Sequence, residues 1–347
     1  MTRTVHIVAP ADDPHAVVLS WALSRLGVAT RISGNLAQWN DRPVAVEIAG
    51  DALRGIDALS ATVWNRRPRA PQPPPMHAED IAYAQTEWSS FHRNLEAAAI
   101  DLLPAFWVNP PTAARAAENK LTQLVAAREI GLSFPDTVIG NDAAAVRRLA
   151  QRCERIVFKT FRPHIWLDGE RGKPLATAAV TLDAATLPDT ETIALCPAIY
   201  QRYVEKAADI RITVAGSRKL AVAMRNRNGS AFLDWRVHSL DDDFLIESFA
   251  VPAALDRQID ALMAKLGLVF GCLDFVIDHR GDVQFLEINQ AGQFLFVEEL
   301  LPECGMLRLV ASFLAAGACD YAVSADPHLT LARCLAETTV KPSARRP

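Results

Sequence analysis

No run of 18 consecutive apolar residues occurs in the chain, so the sequence predicts no membrane-spanning helix. The first stretch, MTRTVHIVAPADDPHA, has acids and prolines where a signal peptide needs an unbroken apolar segment, and we expect a cytoplasmic protein. The six cysteines are scattered without CxxC spacing. That spacing argues against a disulfide framework and against a zinc knuckle.

An excess of charge of either sign is also missing. The net charge is -4, and charged residues make up 22% of the chain against 50% hydrophobic residues. This balance is typical of a soluble globular protein and gives no sign of a nucleic-acid partner. No glycine fingerprint follows the predicted first strand at residues 4–9, so a dinucleotide site there lacks support. The length of 347 residues suggests two or three domains.

The chain does contain a predicted hairpin rich in acids, at residues 273–289 (LDFVIDHRGDVQFLEIN). Two apolar runs flank Arg280-Gly281, where glycine supplies the positive φ that tight hairpin turns require. A two-residue turn there would place Asp274 opposite Glu287. Because side chains alternate along a strand, Glu287 and Asn289 then face the same way as Asp274. The hairpin therefore predicts three converging oxygen donors.

Such hard oxygen donors suit Mg²⁺, which takes its remaining ligands from water and from substrate phosphates. The group has no imidazole or thiolate, which disfavours zinc. The alternative is a surface hairpin that merely carries acids. Apolar neighbours such as Phe275 and Phe285 argue against it, because buried carboxylates are costly unless a cation compensates them.

Two lysines lie in or next to predicted elements upstream of this hairpin. Lys120 lies in the middle of a predicted helix at residues 113–130, and Lys159 is near the end of a predicted strand at residues 156–160. Residues 161–177 then contain the prolines and glycines of a loop and hairpin that would cover a ligand. Lysines act as compact charges on phosphates, although each of these could equally be a solvated charge.

Three arginines, Arg66, Arg67 and Arg69, precede a proline-rich segment at residues 71–75 that cannot sustain a helix or a central strand. We interpret the segment as an extended surface loop. Its arginines are either simply solvated or hold an acidic peptide or a phosphate. The same two readings apply to the cations of a predicted hairpin at residues 208–225.

Cations followed by magnesium donors form one ordered series along the chain. The members are Lys120, Lys159, Asp209, Arg211, Arg236, Asp274, Glu287 and Asn289. This series resembles the ATP-grasp superfamily, and the resemblance covers roughly residues 108–318, with LDFVID and FLEINQAGQF as its most specific part. It implies a mixed α+β and α/β fold in which two lobes hold ATP between them. The expected units are an N-terminal α/β domain (1–107), a small central lobe (108–195), a C-terminal antiparallel-sheet lobe with the magnesium site (196–330) and a flexible tail (331–347).

The same resemblance assigns roles to particular residues. It implies ATP contacts at Lys120, Lys159, Gln201, Tyr203, Val204 and Asp209, and magnesium ligands at Asp274, Glu287 and Asn289. It implies catalytic roles for Arg211, Arg236 and Asp234, and contacts with a substrate peptide for Arg66, Arg67, Arg218, Lys219 and Arg225. The chain departs from the superfamily at Gln201-Arg202-Tyr203-Val204, where a glutamate often follows the glutamine, so the adenine contact would rest on backbone groups.

Within the superfamily the chain most resembles the graspetide synthetases, which cyclise ribosomally made peptides. The segments that carry this resemblance are WNRRP, WVNPP, NKLTQLVAAREIGLSFPDTVIGND, VFKTFRP, DIRITVAG, DWR and EINQAGQF. The implied reaction phosphorylates an Asp or Glu side chain of a precursor peptide, and a Ser or Thr hydroxyl or a Lys amine then attacks it. The implied partners are a precursor peptide with a leader and an acidic core, and a second copy of the chain in a homodimer.

Two alternatives stay open at this stage. A ligase that adds amino acids to a carboxylate, like the ribosomal-protein glutamate ligases, shares the DIR, Asp-aromatic-Arg and Glu-x-Asn elements, and the WNRRP segment favours the peptide-cyclising enzyme over it. A non-catalytic peptide-binding module would be expected to lose a magnesium ligand or a phosphate lysine. None of those residues is missing from the sequence.

Overall fold

The structure is a computed structural model that describes residues 4–38, 44–50, 52–54, 62–162, 165–167, 174–176, 179–229, 232–235 and 241–338. The strands are β1 (Thr4–Val8), β2 (Ala29–Ser33), β3 (Glu47–Ala49), β4 (Ala52–Arg54), β5 (Thr62–Asn65), β6 (Phe106–Val108), β7 (Thr137–Gly140), β8 (Arg155–Lys159), β9 (Ile165–Leu167), β10 (Pro174–Ala176), β11 (Val180–Asp183), β12 (Ala198–Arg202), β13 (Lys206–Ala215), β14 (Arg218–Asn226), β15 (Phe244–Ser248), β16 (Phe270–Asp278) and β17 (Val283–Asn289). The helices are α1 (Pro14–Arg25), α2 (Ile81–Ala97), α3 (Ala99–Leu102), α4 (Pro111–Ala117), α5 (Lys120–Glu129), α6 (Ala143–Cys153), α7 (Thr190–Leu195), α8 (Ala253–Leu266), α9 (Leu295–Leu300), α10 (Met306–Ala316) and α11 (Leu331–Glu337). Among these helices, none is long and apolar enough to cross a membrane.

The N-terminal unit is built on a parallel sheet with the strand order β2-β1-β5-β6. Helix α1 begins where the side chain of Asp13 accepts a hydrogen bond from the amide of Ala16 at 2.9 Å, and it ends before Gly27, whose φ is 73°. The predicted first strand and the helix stop at Gly27 are confirmed. In such sheets, side chains for ligand contacts lie at the carboxyl ends of the strands.

The central sheet has the order β11-β8-β12-β7, and its strands pair antiparallel. Strand β12 lies between β7 and β8, so the central sheet continues past the predicted lobe boundary at residue 196. Both neighbours of β12 supply partners for its backbone, so the central sheet includes residues up to Arg202. The hairpin predicted within residues 161–177 is confirmed by the pairing of β9 with β10. The rest of that segment from residue 163 onward lies outside the described residues.

The C-terminal sheet has the order β15-β14-β13-β16-β17 and is antiparallel throughout. Asp274 pairs with Glu287 as predicted, but the two-residue turn is wrong. The connection spans residues 279–282, and the carboxylate of Asp278 accepts from the amides of Arg280 at 2.8 Å and Asp282 at 2.9 Å. A register shift between Asp274 and Phe275 corrects for the longer turn, so that the acids still face each other.

The single helix predicted at residues 113–130 is in fact two helices, α4 and α5. The side chain of Asn119 accepts from the amides of Leu121 at 2.9 Å and Thr122 at 3.2 Å, which starts a new helix. Lys120 is therefore the first residue of α5 and does not lie in mid-helix. Gln123 of α5 donates to the carbonyl of Ile288 at 2.9 Å and accepts from its amide at 3.0 Å, which covers the outer edge of β17.

The largest hydrophobic core joins the two ends of the described chain. Trp64 of β5 and Leu19 of α1 are buried in the same cluster as Phe313 of α10 and Cys334 of α11. The expected flexible tail at 331–347 is therefore wrong for α11, which buries Leu331 and Cys334. Residues 339–347 lie outside the described residues. A second core lies between the other face of the C-terminal sheet and helices α5 and α8.

Candidate active site

The three predicted magnesium donors lie on one face of the β16–β17 hairpin. Asp274 pairs with Glu287, and Cys272 pairs with Asn289, so alternation along both strands places all three donors on that face. The side-chain oxygen of Asn289 also accepts from the amides of Ala291 and Gly292, both at 3.2 Å. Among the described residues, no three His, Cys, Asp or Glu side chains are grouped to hold a metal ion. A metal here would therefore need the amide oxygen as its third protein donor.

Arg211 lies directly beside the first of these acids. It pairs with Asp274 across β13 and β16, and its Nη1 donates to Asp274 Oδ1 at 3.1 Å. Burial acts to lower the pKa of Arg211, but Asp274, Cys272 and Glu287 together outweigh burial, and the pKa is raised. Its Nε is buried and has no partner among the described residues. A permanently charged side chain with a donor to spare is suited to an anionic ligand.

Two aromatic rings hold Arg211 in place. Its guanidinium lies 5.8 Å from the ring centre of Trp235 and 5.4 Å from that of Phe296. The two rings stack at 5.0 Å with 25° between their planes. Cation–π contacts of this kind stabilise a charge that is withdrawn from water. Trp235 thereby connects the Asp234-Trp235 segment to the candidate site, whereas Arg236 lies outside the described residues.

Lys120 reaches the second acid of the hairpin. Its ammonium group donates to the carboxylate of Glu287, and both side chains stay partly exposed. Because the lysine is at the N-terminus of α5, the helix adds its own positive end to the same place. Lys120 and Glu287 thus form the open side of the site, where a charged ligand has access.

Asp209 lies two residues before Arg211 on β13, so it shares the same face of the sheet, and it is as deeply buried as Arg211. The ammonium of Lys206 donates to its two carboxylate oxygens at 2.7 and 2.8 Å. The pKa of Asp209 is raised to about 6, mainly by burial and also by the charges of Asp274 and Asp234, while Lys206 acts to lower it. Three carboxylates therefore gather close to the hairpin, and sequence reasoning missed the lysine that neutralises one of them.

The remaining predicted ATP contacts lie on the central sheet. Lys159 donates to the side chain of Gln201 at 2.9 Å, and Gln201 donates to Thr137 at 3.0 Å. The guanidinium of Arg155 lies over the ring of Tyr203, 4.4 Å from the ring centre. Val204 is buried. These contacts place the second group of residues in a different sheet from the magnesium donors.

A side-chain hydrogen bond connects the two sheets. Arg202 at the end of β12 donates to Gln284 of β17 at 2.6 Å. Glu205, the acid that follows Gln201-Arg202-Tyr203-Val204, pairs with Arg155. The backbone therefore stays the group on which an adenine contact would rest.

A cavity of about 710 Å³ opens beside the hairpin. It lies between the segment after β5, helices α2 and α4, and the residues that end β17. Its charged lining residues are the cations Arg66, Arg67, Arg69, Arg115, Lys120 and Arg162 and the acids Glu96, Glu118 and Glu287. Positive charge dominates, so the cavity is suited to an acidic ligand.

The side chain of Arg66 is buried, although the sequence predicted an extended surface loop here. It is 1% exposed, and its Nη1 donates to the carbonyls of Ala291 and Gly292. Burial lowers its pKa to about 10, and Asp13, with an oxygen 3.5 Å from Nε, acts in the opposite direction. Nη1 of Arg66 is therefore bonded inside the protein beside the cavity that Arg66 also lines, and its contact with a peptide stays a prediction. Arg67 is exposed and remains at the cavity.

The cations of the β13–β14 hairpin also pair within the chain. Lys219 is almost fully buried and binds Asp256 at 2.8 Å and Asp260 at 2.6 Å, both in α8. Arg225 pairs with Glu247 at 3.1 Å. Arg218 donates to the carbonyl of Tyr321 at 3.0 Å. None of the three is among the residues that line the described cavity.

Comparison with known proteins shows the fold. The macrocyclase MdnC from Microcystis aeruginosa, solved with precursor peptide MdnA, is 22% identical, covers 91% of this chain and 100% of its own, and has a TM-score of 0.71. A Chryseobacterium gregarium RiPP-associated ATP-grasp ligase, solved with ADP and a leader and core peptide, is 20% identical over 92% of this chain and 98% of its own, with a TM-score of 0.75. The ATP-grasp ligase PsnB was solved with a phosphomimetic variant of a minimal precursor, Mg and ADP. It is 20% identical over 91% of this chain and 98% of its own, with a TM-score of 0.64.

No known family profile matches the chain, and no curated protein matches it either. The structural likeness extends over nine tenths of the chain and nearly the whole of each neighbour. The chain therefore has the ATP-grasp fold, and the fold expected from the sequence is confirmed.

Proposed function

We propose that the protein is an ATP-dependent ligase that closes ester or amide bonds within a ribosomally made precursor peptide. The observation that carries this proposal is a pair of cation-paired carboxylates on one hairpin face, Asp274 and Glu287, of which Glu287 lines a positively charged cavity. The neighbours described as a macrocyclase with a precursor peptide and as a ligase with a leader and core peptide support it.

The residues present fit ATP and Mg²⁺. Asp274, Glu287 and Asn289 would hold the metal, since they are hard oxygen donors on one face of a hairpin. Lys120 and Lys159 would contact phosphates, and the buried, unpartnered Nε of Arg211 fits an anion beside Asp274. When bound, the metal would neutralise phosphate charge during phosphoryl transfer.

The chemistry follows from the weak reactivity of a carboxylate. Transfer of the γ-phosphoryl group of ATP to an Asp or Glu side chain of the peptide gives an acyl phosphate and ADP. A hydroxyl or amine of the same peptide then attacks the acyl carbon, loses its proton and expels phosphate. In this step the fixed charge of Arg211 would stabilise the oxygens that gain charge, because the aromatic rings hold its guanidinium in place.

The cavity supports an acidic peptide as the substrate. Arg67, Arg69 and Arg162 are exposed at its wall, so they would meet carboxylates of the peptide core. Arg115 is also exposed, and its pairing with Glu96 leaves it oriented on the wall. These contacts would hold several acids while one of them is activated at the hairpin.

The test combines two measurements on one reaction. Purified protein, ATP, Mg²⁺ and an acidic precursor peptide encoded beside the enzyme should give ADP and a peptide lighter by one water per ring. Addition of an amino acid to the peptide would favour the intermolecular ligase instead. If no ADP forms and the mass of the peptide does not change, the result would favour a peptide-binding module without activity.

Two variants sharpen this test. Glu287→Gln removes a candidate magnesium donor and should abolish ADP formation. Asp282→Asn removes an exposed acid in the turn of the same hairpin and should leave ADP formation unchanged. Equal loss in both variants would contradict the assignment of Glu287, since it would show only a general effect of hairpin charge.

We further propose that three units follow the three large sheets, with the central lobe ending after Arg202. The proposal also includes a symmetric homodimer, the most common assembly of soluble proteins. Light scattering on the purified protein would give its mass in solution. A monomer across the micromolar range would remove the dimer from the proposal.

A further inference from the structure

The segment that follows Asn289 forms a tight turn around its side chain. The oxygen of Asn289 accepts from the amides of Ala291 and Gly292, which fixes the direction of this candidate metal donor. Gly292 has a φ of +69°, and a Cβ there would lie 2.6 Å from Cε1 of Phe270. The turn therefore tolerates only glycine at this position.

Arg66 holds the same two residues from the other side. Its Nη1 donates to the carbonyls of Ala291 and Gly292, whose amides are held by Asn289. The guanidinium lies 5.5 Å from the ring centre of Trp64. Because Arg66 is buried and directly follows β5 of the parallel sheet, it can fix the turn in one position.

Asn109, directly after β6, also binds this segment through its side chain. Its Nδ2 donates to the carbonyls of Gln290 at 3.0 Å and Phe270 at 2.9 Å. Its Oδ1 accepts from the amides of Val269 at 2.8 Å and Phe270 at 2.9 Å. All the hydrogen-bonding capacity of the side chain is used. It ties the start of β16 to the end of β17.

A histidine completes the contact between the N-terminal sheet and this segment. The Nε2 of His15 accepts a hydrogen bond from the amide of Phe294 at 3.2 Å. Burial and the nearby Arg66 charge lower the pKa of His15 well below its ordinary value, so it stays a neutral acceptor. The ends of α1, β5 and β6 thus converge on residues 290–294.

We propose that Arg66 and Asn109 are positioning residues of the metal site: they hold the turn that aims Asn289, and neither contacts the peptide. This inference rests on the function proposed above. Side chains that orient a metal ligand without touching the metal commonly contribute about 10-fold to 100-fold in metal affinity. The N-terminal sheet therefore acts on the site through the segment that follows Asn289.

The test measures metal binding apart from catalysis. Mn²⁺ serves as a spectroscopic substitute for Mg²⁺, and electron paramagnetic resonance reports the free ion in the presence of ADP. Arg66→Met should weaken Mn²⁺ binding about tenfold, and hydrogen exchange of residues 290–294 should become faster. The affinity for the precursor peptide should not change.

The neighbouring arginine offers a matched control. Arg67 is exposed at the cavity, so Arg67→Met should weaken peptide binding and leave Mn²⁺ binding as in the wild type. Arg66→Lys keeps a cation beside Asp13 and one donor toward the turn, and should restore part of the Mn²⁺ affinity. If Arg66→Met does not fold, Arg66→Lys and Asn109→Ser provide the same comparison in milder form.

Other outcomes would overturn the inference. If Arg66→Met, Arg66→Lys and Asn109→Ser weaken peptide binding but leave Mn²⁺ binding unchanged, these residues contact the substrate. If the variants lower the melting temperature and leave both affinities unchanged, their role is only structural. If the wild-type protein itself does not bind Mn²⁺ with ADP, the proposed function fails together with this inference. If the wild type binds Mn²⁺ and the variants bind it equally well, only this inference fails.

Discussion

The buried pair of Lys206 and Asp209 makes stability depend on pH in a direction that can be measured. Asp209 is 5% exposed, and burial raises its pKa from 3.8 to about 6. The folded protein therefore binds the proton of this carboxyl more tightly than the unfolded chain does. Its contribution to stability is fully present below the unfolded pKa of 3.8 and is lost as the pH rises through about 6.

The size of the effect follows from the shift. A change from 3.8 to about 6 is about two pKa units, which at about 1.4 kcal/mol per unit gives about 3 kcal/mol. Between pH 4.5 and 7.5 the linkage relation assigns about 2 kcal/mol of it to this one carboxyl. No discount for solvent applies, because the group is almost fully buried.

Urea denaturation of the wild type and of Asp209→Asn across this pH range provides the assay. The free energy of unfolding of the wild type, minus that of the variant, should fall by about 2 kcal/mol between pH 4.5 and 7.5. Leaving Lys206 without its partner adds a constant offset and no slope. Asp282→Asn, at an exposed turn, should show no such slope. A difference for Asp209→Asn that does not change with pH would refute the reasoning.

Three further predictions concern other parts of the molecule. Glu298 caps two helices, since its carboxylate oxygens accept from the amides of Leu307 in α10 at 2.6 Å and Leu331 in α11 at 2.7 Å. Glu298→Gln should lose one cap and about 1–2 kcal/mol of the free energy of unfolding measured in urea. Unchanged stability would contradict this. Gly292→Ala should push against Phe270 and weaken Mn²⁺ binding measured with ADP, and wild-type affinity would count against the turn. Lys120→Met should weaken ADP binding at least about tenfold in calorimetry. The same variant should bind Mn²⁺ more tightly in the absence of nucleotide, because the ammonium no longer competes for Glu287. Weaker Mn²⁺ binding would contradict this.

The two acids were predicted to face each other and they do, although the turn assumed in that prediction was too short. A register shift between Asp274 and Phe275 brings Asp274 opposite Glu287, and alternation along β17 then places Asn289 on the same face. The turn could not be predicted from the glycine of Arg280-Gly281, since the carboxylate of Asp278 binds two backbone amides and widens the connection.

The roles of long cationic side chains were the least predictable part. Arg66 meets the carbonyl of Ala291, and Lys219 meets Asp256, so each finds its partner far along the chain. Sequence spacing around an arginine or lysine does not reveal such partners, whereas Lys120 was assigned to the site from its resemblance and does lie there. Asn109 was missed because an asparagine before two prolines looks like an ordinary turn residue.

The core shared by the first and last elements has a consequence for synthesis on the ribosome. The parallel sheet of β1 and β5 buries Trp64 against α10, and α11 buries Cys334 in the same cluster. While translation is in progress, the N-terminal sheet therefore exposes apolar surface until residues near 334 have emerged. Nascent chains arrested before α10 should bind chaperones at this surface and be cut readily by protease within residues 4–38, and chains arrested well after α11 should resist cleavage there.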